Sequence, residues 1–259
     1  MGHERVGFLP RTKRWRSIVD TITKAATESS SSIAQIADAT LLNVESRFNR
    51  IHKDRGVQAA FAYLISLATT RLPLADGLSS VDASLNENPS PVRITKDLSN
   101  WVKKNADSRE YAEVACRAAA DTISEWTKSQ SKQHLLFDDS TSASNIWSKS
   151  SNGTAFCKVA RSFFAHFTER YLKYFIEREA SAVLPSLESR KQFNQNLRKH
   201  IEDISHHAFE TSKITQSFAA GWFNNHARES RPTDVEIEGF LSLAFEKVRE
   251  ELHREVPHE

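Results

Sequence analysis

The short segment HIEDISHHAFE is rich in side chains of the kinds that bind metals or transfer protons, and five of them recur at helical spacing. They are His200, Asp203, His206, His207 and Glu210. On a helix that advances 100° per residue all five share one face, so joint ligation of a metal such as zinc is geometrically allowed. The opposite face is apolar and carries Phe193, Leu197, Ile201, Ile204 and Ala208. We therefore expect a solvated or partner-facing surface, with a helical metal-dependent enzyme as an alternative.

The motifs that define common catalytic sites are absent. The sequence contains no GxxxxGK[ST], GxGxxG, GxSxG or HExxH, and its 7 glycines are too few for a loop that wraps a phosphate. Serine, histidine and aspartate are plentiful, but no spacing singles out a nucleophile and its base. We therefore predict no catalytic residue and no bound cofactor or metal, and we expect a protein that is not an enzyme.

A basic stretch, GFLPRTKRW, precedes the first helical pattern. Three basic residues lie in this stretch and a fourth follows it directly. They are Arg11, Lys13, Arg14 and Arg16, and they surround Trp15. Together they would neutralise a few phosphates and stack one base, so a nucleic-acid-binding arm is one interpretation. The sequence pI of about 8.5 is low for a dedicated nucleic-acid-binding domain. We favour an interpretation in which Trp15 packs into the first helix and the preceding residues face a protein partner.

A second aromatic pair occurs in GWFNNHARE, residues 221–229. On the helical wheel used above, Trp222 continues the apolar stripe and Phe223 lies at its margin. Aromatic residues among polar neighbours are common at protein interfaces. We favour core packing for this pair, and we keep Phe223 as a candidate exposed anchor for a partner.

Overall composition indicates a soluble intracellular chain. The 259 residues carry a formal charge of +2, but residues 1–16 hold five Lys or Arg against Glu4, while residues 232–259 hold eight acids against three Lys or Arg. Cys116 and Cys157 have no CxxC partner, which favours reduced thiols. No apolar run reaches the roughly 18 residues of a membrane span, and the N-terminus lacks a secretory apolar region. We expect a cytoplasmic protein with no membrane contact.

Helical periodicity covers most of the chain. Residues 15–26 form the first predicted helix and residues 33–51 the second, with Gly56 as a C-cap after it. Residues 57–72 are apolar on most faces, which places them near the centre of the molecule.

The second half of the chain is also helical by its pattern. A face of small residues is expected to allow close helix approach, and it consists of Ala112, Ala115, Ala118 and Ala119. An aromatic-rich helix begins at Thr154, a long helix covers residues 186–228, and a last helix begins at Thr233 with Glu236 completing a capping box. The prediction is an all-α multi-helix bundle with long helices.

Two polar segments interrupt these helices, at residues 73–93 and at about 138–152. They divide the chain into an extended tail (1–12), an N-terminal helical part (13–72), a linker (73–97) and a C-terminal bundle (98–259). We expect the two helical parts to share one core.

The N-terminal pattern resembles that of QatB, the helical companion subunit of bacterial Qat antiphage defence systems. The features are Met1-Gly2, a short tail that reaches Leu9, Pro10 and Trp15, and then only helices. The resemblance implies a non-enzymatic partner of a QueC-like enzyme, acting with an ATPase and a TatD-like nuclease. It also draws attention to Gly2, since removal of Met1 would expose a glycine amine to such an enzyme.

Taken together, these patterns predict a non-enzymatic, protein-binding subunit of a cytoplasmic bacterial multiprotein system. The residues predicted to contact the partner are Gly2, Leu9, Pro10, Arg11, Lys13, Arg14, Trp15, Arg16 and Phe223. The alternatives are a nucleic-acid-binding protein that uses the basic arm and a helical metal-dependent enzyme.

Overall fold

The computed structural model describes residues 13–25, 31–69, 91–106, 111–134, 146–147, 149–184, 186–210 and 218–254. Within these ranges 90% of the residues are helical and no strand occurs, so the predicted all-α fold is confirmed. None of the helices in these ranges has the length and apolarity needed to cross a membrane.

The described residues form nine α-helices. In chain order they are α1 (Lys13–Ala25), α2 (Ser31–Phe48), α3 (Arg55–Thr69), α4 (Pro91–Asn105), α5 (Ala112–His134), α6 (Gly153–Val183), α7 (Leu187–Glu210), α8 (Phe218–Trp222) and α9 (Asp234–Arg254). A 3-10 turn (Ile51–Lys53) joins α2 to α3, and a π-helical turn (Phe223–Ala227) follows α8.

The 31-residue helix α6 lies at the centre of the bundle. It packs against α1, α2, α3, α5, α7, α8 and α9. Its buried face supplies aromatic residues with no exposed surface, namely Phe156, Phe163, Phe164, Phe167, Tyr171 and Phe175. The aromatic periodicity seen in the sequence is therefore that of a core helix, because large rings at three- and four-residue spacing meet neighbours on several sides.

One continuous hydrophobic cluster runs through the described helices, from Trp15 on α1 to Leu252 on α9. It contains residues of the predicted N-terminal part and of the predicted C-terminal bundle. Helix α4 begins at Pro91, so the predicted linker of residues 73–97 extends too far into a helix. Proline is favoured at the first helical position because its missing N–H would have no intrahelical partner there.

Gly56 does not cap a preceding helix, which corrects the sequence prediction. It lies in the first turn of α3, where Asp54 is the N-cap and its Oδ1 accepts from the backbone N–H groups of Gly56 and Val57 at 2.8 and 3.1 Å. An ideal Cβ on Gly56 would lie 2.5 Å from Cβ of Ala112. The glycine is therefore required where α3 meets the alanine face of α5, a close approach that the sequence predicted.

The predicted long helix over residues 186–228 is not a single helix. Helix α7 ends at Glu210, and the chain from Phe218 forms α8 and then the π-helical turn, in which the N–H of Arg228 donates to the carbonyl of Phe223 at 2.9 Å. The predicted capping box at α9 is confirmed. The N–H of Glu236 donates to Thr233 Oγ1 at 3.3 Å, and the N–H of Thr233 donates to Glu236 Oε2 at 2.7 Å.

Candidate functional site

Helix α7 presents the histidine-rich segment to solvent, as the helical wheel predicts. Asp203, His206 and His207 are exposed, whereas Ile201 and Ile204 are buried. His207 Nδ1 lies 3.6 Å from Glu251 Oε1 on α9. In the part of the chain that the structure describes, no group of three or more His, Cys, Asp or Glu side chains is arranged to hold a metal ion.

The basic N-terminal stretch is described from Lys13 onward. Gly2, Leu9, Pro10 and Arg11 lie outside the described residues, as does the side chain of Arg14. Lys13 and Arg16 are exposed, whereas Trp15 is only 5% exposed and belongs to the hydrophobic cluster. The indole is thus a core residue of α1, and its faces are covered by protein.

Phe223 is not an exposed anchor, which corrects the second partner-binding prediction. Its side chain has no exposed surface, and its ring stacks on Phe156 at a centroid distance of 4.5 Å. The wheel assumed one regular helix from His200 to this residue, whereas residues 211–217 lie outside the described part of the chain and Phe223 itself begins a π-helical turn. Trp222 is half-buried; its ring stacks on His226 at a centroid distance of 5.6 Å and contacts Phe240 in a tilted arrangement at 4.6 Å.

Sequence patterns did not reveal a polar groove between α5, α6 and α7, with a cavity volume of about 390 Å³. Its lining charges and amides come from Glu125, Gln130, Lys158, Arg161, His166, Glu202, Asp203 and His206. On α6 the lining residues Lys158, Ser162 and His166 recur at four-residue spacing, which forms a ridge of side chains along one face. The volume falls in the range of small-molecule sites, roughly 300–1,000 Å³.

An imidazolium between two carboxylates forms the floor of this groove. His166 is 5% exposed; its Nε2 lies 3.2 Å from Glu125 Oε2, and its Nδ1 lies 4.0 Å from Glu169 Oε2. Glu169 is also bonded to Lys173 Nζ at 2.7 Å. Arg198 lies 4.0 Å from Glu169. The buried charges therefore have opposite partners, which the burial of an ion requires.

This arrangement shifts the pKa values of all three groups. Burial alone would lower the pKa of His166, but the surrounding Glu125 and Glu169 outweigh it and raise the pKa to about 9. The His166 bond is the main cause that lowers the pKa of Glu125 to about 2. Burial opposes ionisation of Glu169, yet its bonds with His166 and Lys173 lower the pKa to about 2. At neutral pH the histidine is charged and both glutamates are ionised.

A serine, a carboxylate and a histidine, the residue types of a hydrolytic triad, meet at Ser162, Glu125 and His166. Their hydrogen bonds differ from those of a triad. The Ser162 hydroxyl donates to Glu125 Oε2, the same oxygen that faces His166. In a triad the hydroxyl must face a neutral imidazole that accepts its proton. Here the imidazole is protonated and faces the carboxylates of Glu125 and Glu169, so it does not act as the base for the Ser162 hydroxyl in this arrangement.

Replacing His166 with glutamine is expected to destabilise the protein in a pH-dependent way. The raised pKa of His166 contributes stability that is complete below its ordinary pKa of 6.5 and is lost as the pH rises through about 9. The glutamates contribute above their ordinary pKa of 4.5 and lose their contribution as the pH falls through about 2. The difference in the free energy of unfolding between wild type and His166→Gln should be largest between pH 4.5 and 6.5. We expect about 1–2 kcal/mol there, since Glu125 is partly exposed.

Thermal unfolding of both proteins across pH 4–10 measures this difference. His206→Gln, which removes an exposed imidazole from the same groove, is the matched control and should change stability by less than about 0.5 kcal/mol. A His166→Gln penalty that stays constant from pH 5 to pH 10 would contradict the charged pair.

A scan against protein-family models, a search of curated proteins and a search of solved structures each find no match for this chain.

Proposed function

We propose that this protein is a non-enzymatic interaction subunit that docks to a protein partner through residues 2–10, which precede α1 in the chain. One observation carries the proposal: Trp15 is buried in the core while its neighbours Lys13 and Arg16 are exposed. This first turn of α1 fixes the chain at one point on the body and surrounds that point with positive charge.

Helix α1 is a firm base for such a segment. Trp15, Ile18 and Ile22 are 5%, 2% and 0% exposed, and the helix packs against α2 and α6. Burying these three side chains is worth about 1.5–3 kcal/mol each, so α1 stays attached to the core. Once the bundle touches the partner protein, a segment tethered to α1 is held close to its binding site, so its effective concentration there is high.

The same observation weighs against the nucleic-acid-binding alternative. Base stacking requires an accessible aromatic face, and the indole of Trp15 is covered. Among the side chains that the structure describes in this stretch, Lys13 and Arg16 remain as phosphate contacts, and a site of few cations is weak and strongly salt-dependent. Charge complementarity to an acidic protein surface uses the same residues without needing the indole.

The partner that we propose follows from the resemblance to QatB-like companion subunits. It is an enzyme of the same cytoplasmic bacterial system, QueC-like in kind, that receives the N-terminal segment and acts on the amine of Gly2. In this proposal the bundle is the carrier of the segment, and antiphage defence is the process it serves.

Capture from the native host tests the proposal. The full chain with a C-terminal tag should retain one stoichiometric protein partner, and a variant lacking residues 2–10 should lose it. Lys191→Gln/Lys199→Gln, which removes two exposed cations from α7, is the charge control for Lys13→Gln/Arg16→Gln and should bind like wild type. We expect the α1 pair to weaken binding roughly tenfold, as rim charges near an interface do.

The intact mass of the captured protein tests whether the partner enzyme acts on the amine of Gly2. A modified Gly2 supports action by the partner enzyme, and an unmodified glycine with the partner present contradicts it. Partner binding that is unaffected by removal of residues 2–10 contradicts the docking role of this segment. Release of the bound partner by nuclease treatment also contradicts it, because nucleic acid would then hold the complex together.

A further inference from the structure

The polar groove between α5, α6 and α7 has a floor formed by buried residues. Thr122, Trp126, Gln130 and His166 are 0%, 7%, 8% and 5% exposed, yet all four line the cavity. The helices that carry these residues fix their backbones. The side chain of Trp126 is held further by the bond from its Nε1 to the carbonyl of Ile146 at 3.2 Å. A ligand in this groove would meet a preorganised surface.

The floor has little net charge to offer to a ligand. His166 is matched by Glu125, and Glu169 is matched by Lys173. The carboxamide of Gln130 makes only a long 3.4 Å contact to Ser129 Oγ, and its oxygen has no hydrogen-bond partner among the described residues. The floor therefore supplies a neutral hydrogen-bonding group, and any charge recognition must come from the walls.

The two walls carry opposite charges. Helix α6 contributes Lys158 and Arg161, and helix α7 contributes Glu202 and Asp203. Glu202 is already paired with Arg198 at 2.9 Å. Lys158 and Asp203 make no hydrogen bond or ion pair with the residues that the structure describes. The groove thus presents one cation on α6 and one anion on α7. Neither charge has a partner among the residues that the structure describes.

We propose that this groove binds a small zwitterion, an α-amino acid or short peptide, with its carboxylate at Lys158 and its ammonium at Asp203. A ligand with a single charge would leave one wall unmatched, whereas a zwitterion matches both. The side chains from Lys158 to His166 extend along α6 for about 12 Å at 1.5 Å per residue. That length accommodates up to about three extended residues at roughly 3.5 Å each.

Calorimetric titration of the full-length protein tests this assignment. The probes are the standard L-amino acids and their glycyl dipeptides, each binder being compared with its N-acetylated and C-amidated forms. We expect at least one zwitterion to bind with 1:1 stoichiometry and a Kd below about 1 mM. Blocking either charged end should weaken binding tenfold or more, because a charge-assisted hydrogen bond is lost.

Variants of the walls complete the test. Lys158→Gln and Asp203→Asn should each weaken binding of the same probe roughly tenfold. Lys199→Gln and Glu246→Gln remove exposed charges of the same types outside the groove and should leave binding unchanged. The proposal is overturned if no probe binds, if capped and free forms bind equally, or if the wall variants bind like wild type. It is also overturned if the two control variants weaken binding as much as the wall variants do.

Discussion

Replacing Phe164 with alanine is expected to lower the free energy of unfolding by about 3–5 kcal/mol. Phe164 is fully buried on α6, where four helices meet. Its ring lies 5.6 Å from Phe61 on α3, 5.4 Å from Phe209 on α7 and 4.9 Å from Phe245 on α9. Removing the ring leaves a cavity that rigid helices close only in part, and it also removes edge-to-face contacts between the rings.

Denaturant unfolding measures this loss. For a chain of this size, the change corresponds to a melting temperature lower by on the order of 10 °C. Leu187→Ala is the control, because Leu187 is 81% exposed at the start of α7 and its truncation should change stability by less than about 0.5 kcal/mol. Equal losses for the two variants would show that Phe164 does not join these helices.

Adding one methyl group at Gly56 is expected to cost about 1–3 kcal/mol, although alanine is the better helix former. The new Cβ would lie 2.5 Å from Cβ and 2.8 Å from Cα of Ala112, so α3 and α5 would have to move apart. That contact is between backbones and short side chains, and no flexible side chain can turn away to relieve it. The change tests whether the alanine face of α5 is a close-packing surface.

Gly239→Ala is the matched control for this substitution. Gly239 lies on an exposed position of α9, and a Cβ there would have no other atom within 4 Å. The control should therefore gain up to about 1 kcal/mol from helix propensity alone. Chemical denaturation of both variants gives the comparison, and stabilisation of both would contradict the close approach of α3 and α5.

Local patterns in the sequence predicted the helices well where both the residues and their partners are close in the chain. The Thr233–Glu236 capping box needs only four consecutive residues, and the structure contains it as predicted. The buried alanines of α5 follow from helical spacing, which places them on one face. In such cases periodicity alone determines which side of a helix is apolar.

Features that depend on distant residues or on irregular backbone were not predicted. Phe223 was placed at a margin because the wheel assumed one regular helix, whereas in the structure its ring is buried and stacks on Phe156. Gly56 looked like a helix end because its close neighbour, Ala112, is far away in sequence. Both errors arise from tertiary contacts that overrule a local preference.

The polar groove shows the same limit for the candidate site. Glu125 and His166 belong to different helices, and neither has a neighbour in sequence that marks it as functional. The histidine-rich segment attracted attention because its residues are adjacent, yet among the side chains that the structure describes only Asp203 and His206 of its five candidate residues line the groove. A titratable group acquires an unusual pKa through burial and charged neighbours, which only the folded bundle supplies.

We propose that α1 anchors an N-terminal docking segment for a protein partner. The mass of the complex purified from native cells tests this role, with the full chain and the variant lacking residues 2–10 compared side by side. We expect a stoichiometric complex for the full chain and the mass of the subunit alone for the truncated variant. A complex of equal mass and yield from both proteins would contradict it.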